Sequence, residues 1–554
     1  MTQEPARPPV PPALPSGETS RDPQAGQAEG ARPTPWTTRL LDAVEWAGNL
    51  LPHPVTLFAL LAVFIVLLSG LLAALGVAVE DPRPEGAAGR AADGTIAVVS
   101  LLDGEGLRRI VTGLVTNFTQ FVPLGTVLVA MLGVGVAERS GLLTAAIRAL
   151  VLRAPRSLVT AVVVFAGVLS NTASEMGYVV LVPLAAAIFH ALGRHPLAGL
   201  AAAFAGVSGG YSANLLIGTV DPLLAGITQE AARLIDPGYE VHAAVNWYFM
   251  ITSTFLITVL GTFVTVRIVE PKLGPYDAGL MSAEGPPEVS MAPLTPRERR
   301  GLRNAGFAAL AVAALIALLT VPTWGALREP GVEDTLGSLR PFLTGIVALV
   351  FVFFAVPGFV YGRTVGSLRS DRDVIDAMAA SMSTLGLYIV LVFFAAQFVA
   401  FFNWTQIGQV LAVVGADTLR GIGLTGPLVF MLFIPMCALV NLSLGSASAQ
   451  WAVTAPIFVP MLMLVGYSPE LVQAAYRIGD SVSNLITPMM SYFGLIMAFA
   501  ARYVRNLGIG TLIAMMLPYS VVFALGWTAL FYLYVFGLGL PVGPGAPTYY
   551  PAPP

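Results

Sequence analysis

Long uncharged apolar runs alternate along this chain with short charged stretches, and two of the runs are interrupted at their centres by small polar residues. A run of about 20 apolar residues matches a hydrocarbon core about 30 Å thick, so each predicts a membrane-crossing helix. Such runs cover about 55–79, 121–137, 247–266, 305–322, 341–361, 378–402 and 508–536. Two more, 196–228 (broken around 209–221) and 471–501, bring the expected crossings to nine.

The interrupted runs behave differently. Residues 157–192 are broken at Ser170-Asn171-Thr172-Ala173-Ser174-Glu175, with Arg153 and Arg156 before the run and Arg194 after it. Lys and Arg mark cytoplasmic loops, so both ends lie on one side and a re-entrant hairpin fits better than a crossing. Residues 427–465, broken at 441–448, form the second hairpin. The most acidic loop, with Glu80, Asp81, Glu85, Asp93, Asp103 and Glu105, falls outside, while Arg139, Arg267, Arg297, Arg363 and Arg502 close cytoplasmic ends. The N-terminus is then cytoplasmic and the C-terminus outside.

The two breaks also rhyme. Asn171 and Asn441 are each followed 43 residues later by another asparagine, Asn214 and Asn484, and the offset of 270 that relates the pairs also carries Gly209 onto Gly479. Five crossings separate the hairpins, and an odd number inverts the second relative to the first. The expected fold is an all-α polytopic membrane protein: nine transmembrane helices plus two oppositely oriented re-entrant hairpins, arranged as an inverted repeat, the outline of an alternating-access carrier. Its expected parts are a disordered cytoplasmic tail (1–53), a first membrane half (54–269), a cytoplasmic linker (270–303), a second membrane half (304–540) and a C-terminal tail (541–554).

Composition agrees, with 56% hydrophobic and 11% charged residues and a mean hydropathy of +0.77. A net charge of -3, with basic residues spread over loop ends, excludes a nucleic-acid-binding surface. The single cysteine, Cys437, excludes an internal disulfide and a multi-cysteine metal site. No metal site and no tightly bound cofactor is expected. Lys272 is the only lysine and follows no glycine loop, so ATP does not drive the protein directly. No H-E-x-x-H motif is present and "LGSASA" lacks G-x-S-x-G, so no catalytic residues are assigned. The broken hairpins disfavour a ring-lined channel.

Charges deep in apolar segments are costly and functional by default; here they are Glu175, Asp221, Arg477 and Asp480. Arg477 and Asp480 are three apart and share a helix face. They either neutralise each other, or Arg477 presents its planar fork to a substrate carboxylate while Asp480 orients it or takes a proton. Glu175 has no basic residue within a turn, which suits a proton or cation carrier. Asp221, before Pro222, reads as a helix cap or loop residue. Where helices unwind, Asn171, Ser174, Asn214, Asn441, Ser448 and Asn484 can either coordinate a cation or cap the broken ends. Trp451 either stacks on an aromatic substrate or packs. Pro469 and Pro488 read as helix punctuation.

At these residues the chain resembles the aminobenzoyl-glutamate transporter (AbgT) family, through "SNTASEMGYVVLVPLAAAIF", "AGVSGGYSANLLIGTVDPLLAGITQEAA", "SASAQWAVTAPIFVPM" and "AYRIGDSVSNLITPMMSYFGLI", within a likeness running from about 36 to 540. The resemblance implies a homodimer in the bacterial inner membrane that carries p-aminobenzoyl-glutamate, some members exporting sulfonamide antimetabolites on an ion gradient. It places substrate binding on Asn441, Ser448, Trp451, Pro469, Arg477, Asp480 and Pro488. Ion coupling is assigned to Glu175, Asp480, Asn171, Asn214 and Asn484, with Glu175 departing from the family's usual aspartate. A carrier of another small dicarboxylate or peptide-like metabolite remains the alternative, and a membrane enzyme using Glu175 and Asp480 as an acid/base pair is the reading from another class. Direction, and proton against sodium coupling, stay open.

Overall fold

The computed structural model describes residues 52–550 apart from 84, 87–89, 174–176, 283–284, 286–291, 333–334 and 506. Nearly all of the expected N-terminal tail, and the first-break residues Ser174 and Glu175, lie outside the described residues. In the first half, α1 (Pro54–Ala74) leads to a strand pair, β1 (Ala78–Glu80) and β2 (Thr95–Ala97), then α2 (Gly104–Thr119), α3 (Val122–Arg139) and α4 (Leu142–Leu152). The first interrupted run forms α5 (Val159–Ser170) and α6 (Val182–Ala191), the latter preceded by a π-helical stretch at Gly177–Leu181. Next, α7 (Pro196–Phe204) widens into π-helix at Ala205–Gly209, opens, and resumes as α8 (Val220–Ala232) before α9 (Trp247–Val264).

The second half holds α10 (Pro296–Thr320), α11 (Ile346–Val365), α12 (Asp371–Thr384), α13 (Gly386–Trp404) and α14 (Ile407–Gly421). The second interrupted run forms α15 (Val429–Leu444) and α16 (Ala447–Val465), followed by α17 (Pro469–Ser483), α18 (Phe493–Tyr503) and α19 (Ile509–Phe531). Local signals fix many starts: Thr295 and Glu298 close a capping box on α10, Ser370 and Asp373 one on α12, and Ser446 and Ser468 cap α16 and α17.

Among the described residues, eight helices are long and apolar enough to cross a membrane. They include α16, expected as one arm of a hairpin, and omit the two broken runs at 196–228 and 471–501. The acidic loop departs from expectation: β1 pairs antiparallel with β2, Ala78 opposite Ala97, and α2 begins inside it. Helices α2 and α14 also escaped the hydropathy reading, because each spreads its apolar residues over one face and keeps the other polar; the expected run 378–402 divides into the end of α12 and α13.

The two broken regions hold the core. α5 packs on α7 and α9, α15 on α17, and α16 on α8, α14 and α17. Glycines set the closest crossings. A Cβ on Gly206 would meet the Val164 carbonyl oxygen at 2.3 Å, and one on Gly479 would meet that of Ile434 at 2.5 Å. The 270-residue offset carries Val164 onto Ile434 but Gly206 onto Tyr476, so each half has a close approach at the same carbonyl with the facing glycine three positions apart, and a methyl group would force either crossing open.

Residues 542–550, within the expected C-terminal tail, lie as a strap across the loops before α9 and α17. Val542 accepts from the Phe249 N–H at 3.0 Å, Thr548 from the Ser468 N–H at 3.2 Å, and Tyr550 donates its N–H to Gly466 at 3.0 Å. The Ser468 hydroxyl donates to the Pro547 carbonyl, and Tyr549 bridges to Tyr467. In the loop between α8 and α9, His242 Nε2 bonds the Pro544 carbonyl at 3.0 Å while Nδ1 accepts from the Ala244 N–H at 3.2 Å, so the ring is the neutral Nε2–H tautomer.

Burial pushes the His242 pKa down to about 4 from 6.5, against the Pro544 bond that raises it. The unfolded chain therefore takes up a proton near pH 6.5, where the folded loop does not. Stability should fall as the pH drops through this window and level off near pH 4, by up to roughly 3 kcal/mol in all. Thermal unfolding in detergent from about pH 7 to about pH 4.5 checks this: His242→Gln should flatten the slope, and equal slopes in variant and wild type would refute it.

Candidate functional site

Every residue of α17 is buried, including Glu470, Gln473, Arg477 and Asp480. A helix so polar can be buried only where partners meet it, and several of those partners come from the other half. Arg477 Nη2 lies 2.7 Å from Asp221 Oδ1, with the two side chains 4% and 3% exposed. Asp221 stands in the first turn of α8, and its Oδ2 accepts from the Gly218 N–H at 2.6 Å. The N-cap position itself is held by Thr219, so Asp221 is not the cap; its carboxylate ties down the preceding loop and is the counter-ion of Arg477. Asp480, three residues along, does not take that place, because the guanidinium is drawn across to α8.

Neither carboxylate oxygen of Asp480 closes a hydrogen bond of ordinary geometry among the described residues, although Arg477 and Asn484 are its electrostatic neighbours. Arg477 Nε is likewise unbonded there. One guanidinium thus serves two buried carboxylates.

The rhyming asparagines act as staples. Asn171 Nδ2 donates to the Val207 carbonyl at 2.9 Å and to that of Gly210 at 3.4 Å. Asn441 Nδ2 donates to the Asp480 carbonyl and to Ser483 Oγ, both at 3.0 Å, and to Asn484 Oδ1 at 2.7 Å. The 270 offset carries Gly210 onto Asp480, so the same bond recurs in both halves. Asn214 Oδ1 accepts from the Thr172 hydroxyl at 2.8 Å. The amide nitrogens therefore fasten each break to the span behind it, whereas Asn171 Oδ1 and Asn441 Oδ1 stay buried without hydrogen-bond partners among the described residues. The breaks also touch each other: the Ser212 N–H donates to Ser481 Oγ at 3.1 Å.

Trp451 is fully buried. One face stacks on Tyr476, with centroids 4.2 Å apart at 22°, and Nε1 donates to Thr228 Oγ1 at 2.8 Å. That hydroxyl donates to Gln473 Oε1, Gln473 Nε2 to Asn246 Oδ1 at 2.8 Å, and Asn246 Nδ2 to the Glu470 carbonyl at 2.9 Å. The indole is thus held between α8, α16 and α17. Sequence reading overlooked this chain, although Thr228 and Gln473 were visible as polar residues inside apolar surroundings.

Pro469 is the first residue of α17, about 12 Å along the axis from Arg477 at 1.5 Å per residue. Pro488 is half-buried in the turn after α17. Ser448 and Asn484 line a cavity of about 160 Å³ between the breaks, together with Tyr178, Tyr211, Met490 and Tyr492. Trp451, Arg477 and Asp480 are not among its lining residues; the Asn441 staple links the lining Asn484 to the backbone of Asp480.

The AbgT putative transporter family model matches residues 39–550. The chain is 38% identical over 508 residues to the p-aminobenzoyl-glutamate transport protein of Escherichia coli K12, covering 92% of this chain and 96% of that relative. It superposes on the structure of Neisseria gonorrhoeae MtrF, described as illuminating a class of antimetabolite efflux pumps, with a TM-score of 0.86 and 61% identity, covering 92% of this chain and all of that one. The Alcanivorax borkumensis YdaH transporter, described as having an unusual topology, gives 0.81 and 47%, covering 89% and all respectively.

Proposed function

The chain belongs to the AbgT putative transporter family and is a multi-pass membrane transporter; from that premise we propose that it carries p-aminobenzoyl-glutamate and related aromatic carboxylates on an ion gradient, with export of sulfonamide antimetabolites through the same site. The observation that carries this reading is the buried trio of Asp221, Arg477 and Asp480. Two carboxylates and one guanidinium are neutral only with one further cation, and net charge at that depth is expensive. A proton or sodium ion is thereby required whenever the site is empty of substrate.

Exchange of partners then supplies coupling. A substrate carboxylate competes with Asp221 for Arg477, whose planar fork suits either. When a cation neutralises Asp221, the guanidinium is released to the substrate; when the substrate leaves, the ion pair re-forms. Asp480, whose carboxylate oxygens close no hydrogen bond of ordinary geometry among the described residues, is the second place for that cation, helped by Asn441 Oδ1, which has no hydrogen-bond partner among them either. In this reading nine crossings and two opposed re-entrant hairpins form a homodimer in the bacterial inner membrane, N-terminus inside and C-terminus outside. The hairpins and broken spans make a mobile core that exposes the site to each side in turn.

Flux into proteoliposomes tests this, with p-aminobenzoyl-glutamate and a sulfonamide measured under separately imposed proton and sodium gradients. Accumulation should follow one of the two gradients and be inhibited by the other ligand. Accumulation of a non-aromatic dicarboxylate that aromatic ligands do not inhibit would transfer the assignment to that substrate class, and product formation in detergent would favour an enzyme.

A further inference from the structure

An aromatic substrate needs a face to lie against, and the ring first considered for that, Trp451, offers none: it is fully buried, stacked on Tyr476 and bonded to Thr228. The cavity between the breaks offers another. Tyr178, in the π-helical stretch before α6, and Tyr492, at the end of the turn before α18, both line it and stack directly on each other with centroids 4.7 Å apart and planes only 4° from parallel. Tyr178 is 4% exposed and is braced edge-on by Phe204, whereas Tyr492 is half-buried at the cavity wall.

We propose that the aromatic ring of the substrate seats against the Tyr178–Tyr492 pair in the cavity between the two breaks, with Trp451 holding α16 to α8 and α17 from behind. The proposal rests on the transporter reading above and names where that site takes the ring. The volume of about 160 Å³ suits it, since an apolar cavity of about 150 Å³ holds benzene. Parallel rings also suit it: a benzoyl group either extends the stack at an exposed edge or enters it, which needs the two tyrosines to part by about one ring thickness, roughly 3.5 Å. Tyr178 belongs to the first break and Tyr492 to the turn following the second break's partner helix. A ring bound there therefore joins the two halves, close to the Asn484 side chain that the Asn441 staple links to Asp480.

The test compares binding of p-aminobenzoyl-glutamate and of a non-aromatic N-acyl glutamate to purified wild type, Tyr492→Leu, Tyr492→Phe and Trp451→Phe. Tyr492→Leu should weaken the aromatic ligand about tenfold, the scale of one lost stacking contact, and leave the N-acyl glutamate within about twofold; Tyr492→Phe should bind as wild type. Equal weakening of both ligands, or none, overturns the tyrosine subsite. Absence of aromatic binding by wild type would instead overturn the transporter reading. An aryl-azide analogue photolysed on the wild-type protein covers the case of an unstable variant: labelling of Tyr178 or Tyr492 supports the subsite, and labelling elsewhere alone overturns it.

Discussion

Arg477→Ala should weaken p-aminobenzoyl-glutamate binding by at least roughly 25-fold and abolish its accumulation in proteoliposomes, because removing one member of a buried charge pair costs about 2–5 kcal/mol. The same substitution leaves Asp221 buried and without its counter-ion, a cost to the fold of about 3–5 kcal/mol. Loss of transport alone would therefore not separate a binding role from a structural one. The double variant Arg477→Ala/Asp221→Asn does. With the orphaned charge gone, thermal stability in detergent should recover most of the way to wild type, while transport should not return. Wild-type transport by a stable double variant would show that the arginine serves only to neutralise Asp221.

Asp480→Asn is expected to separate exchange from accumulation. The trio would then hold one carboxylate and one guanidinium, neutral without an added cation, so the empty site no longer needs an ion and only the cation that frees Arg477 from Asp221 is left. Exchange of labelled for unlabelled substrate should persist. Gradient-driven accumulation, which reaches up to about tenfold for one coupled ion and a tenfold ion gradient, should fall well below the wild-type ratio. Accumulation by the variant at the wild-type ratio would remove Asp480 from coupling and leave Asp221 as the remaining carboxylate of the trio.

The interruptions were legible in the chain because asparagine, serine and glycine stand out against Leu, Val and Ala; α5, α7, α8, α15, α16 and α17 begin or end close to where those residues fall. Long-range pairing was not legible. Arg477 has an acid one helical turn away in sequence and takes another from a different half, which no local periodicity can indicate. The surroundings of Trp451 were hidden for a related reason: a tryptophan near a break reads alike whether its face is open or covered, and only the positions of Tyr476 and Thr228 show that it is covered. Amphipathic helices such as α2 and α14 were lost because the hydropathy criterion rewards uniform apolarity, which they lack.

The strap at 542–550 has a consequence for biogenesis. It is synthesised after α19, yet it supplies acceptors to Phe249 and Ser468 and a donor to Gly466, groups in segments already inserted in the bilayer. Until the ribosome has released residues 542–550, the loops before α9 and α17 hold open hydrogen-bonding positions, and the helix that bears Arg477 and Asp480 is without this fastening. Quality-control proteases act on such unfinished surfaces, so chains stopped before the strap should be cleared even though every membrane segment is in place.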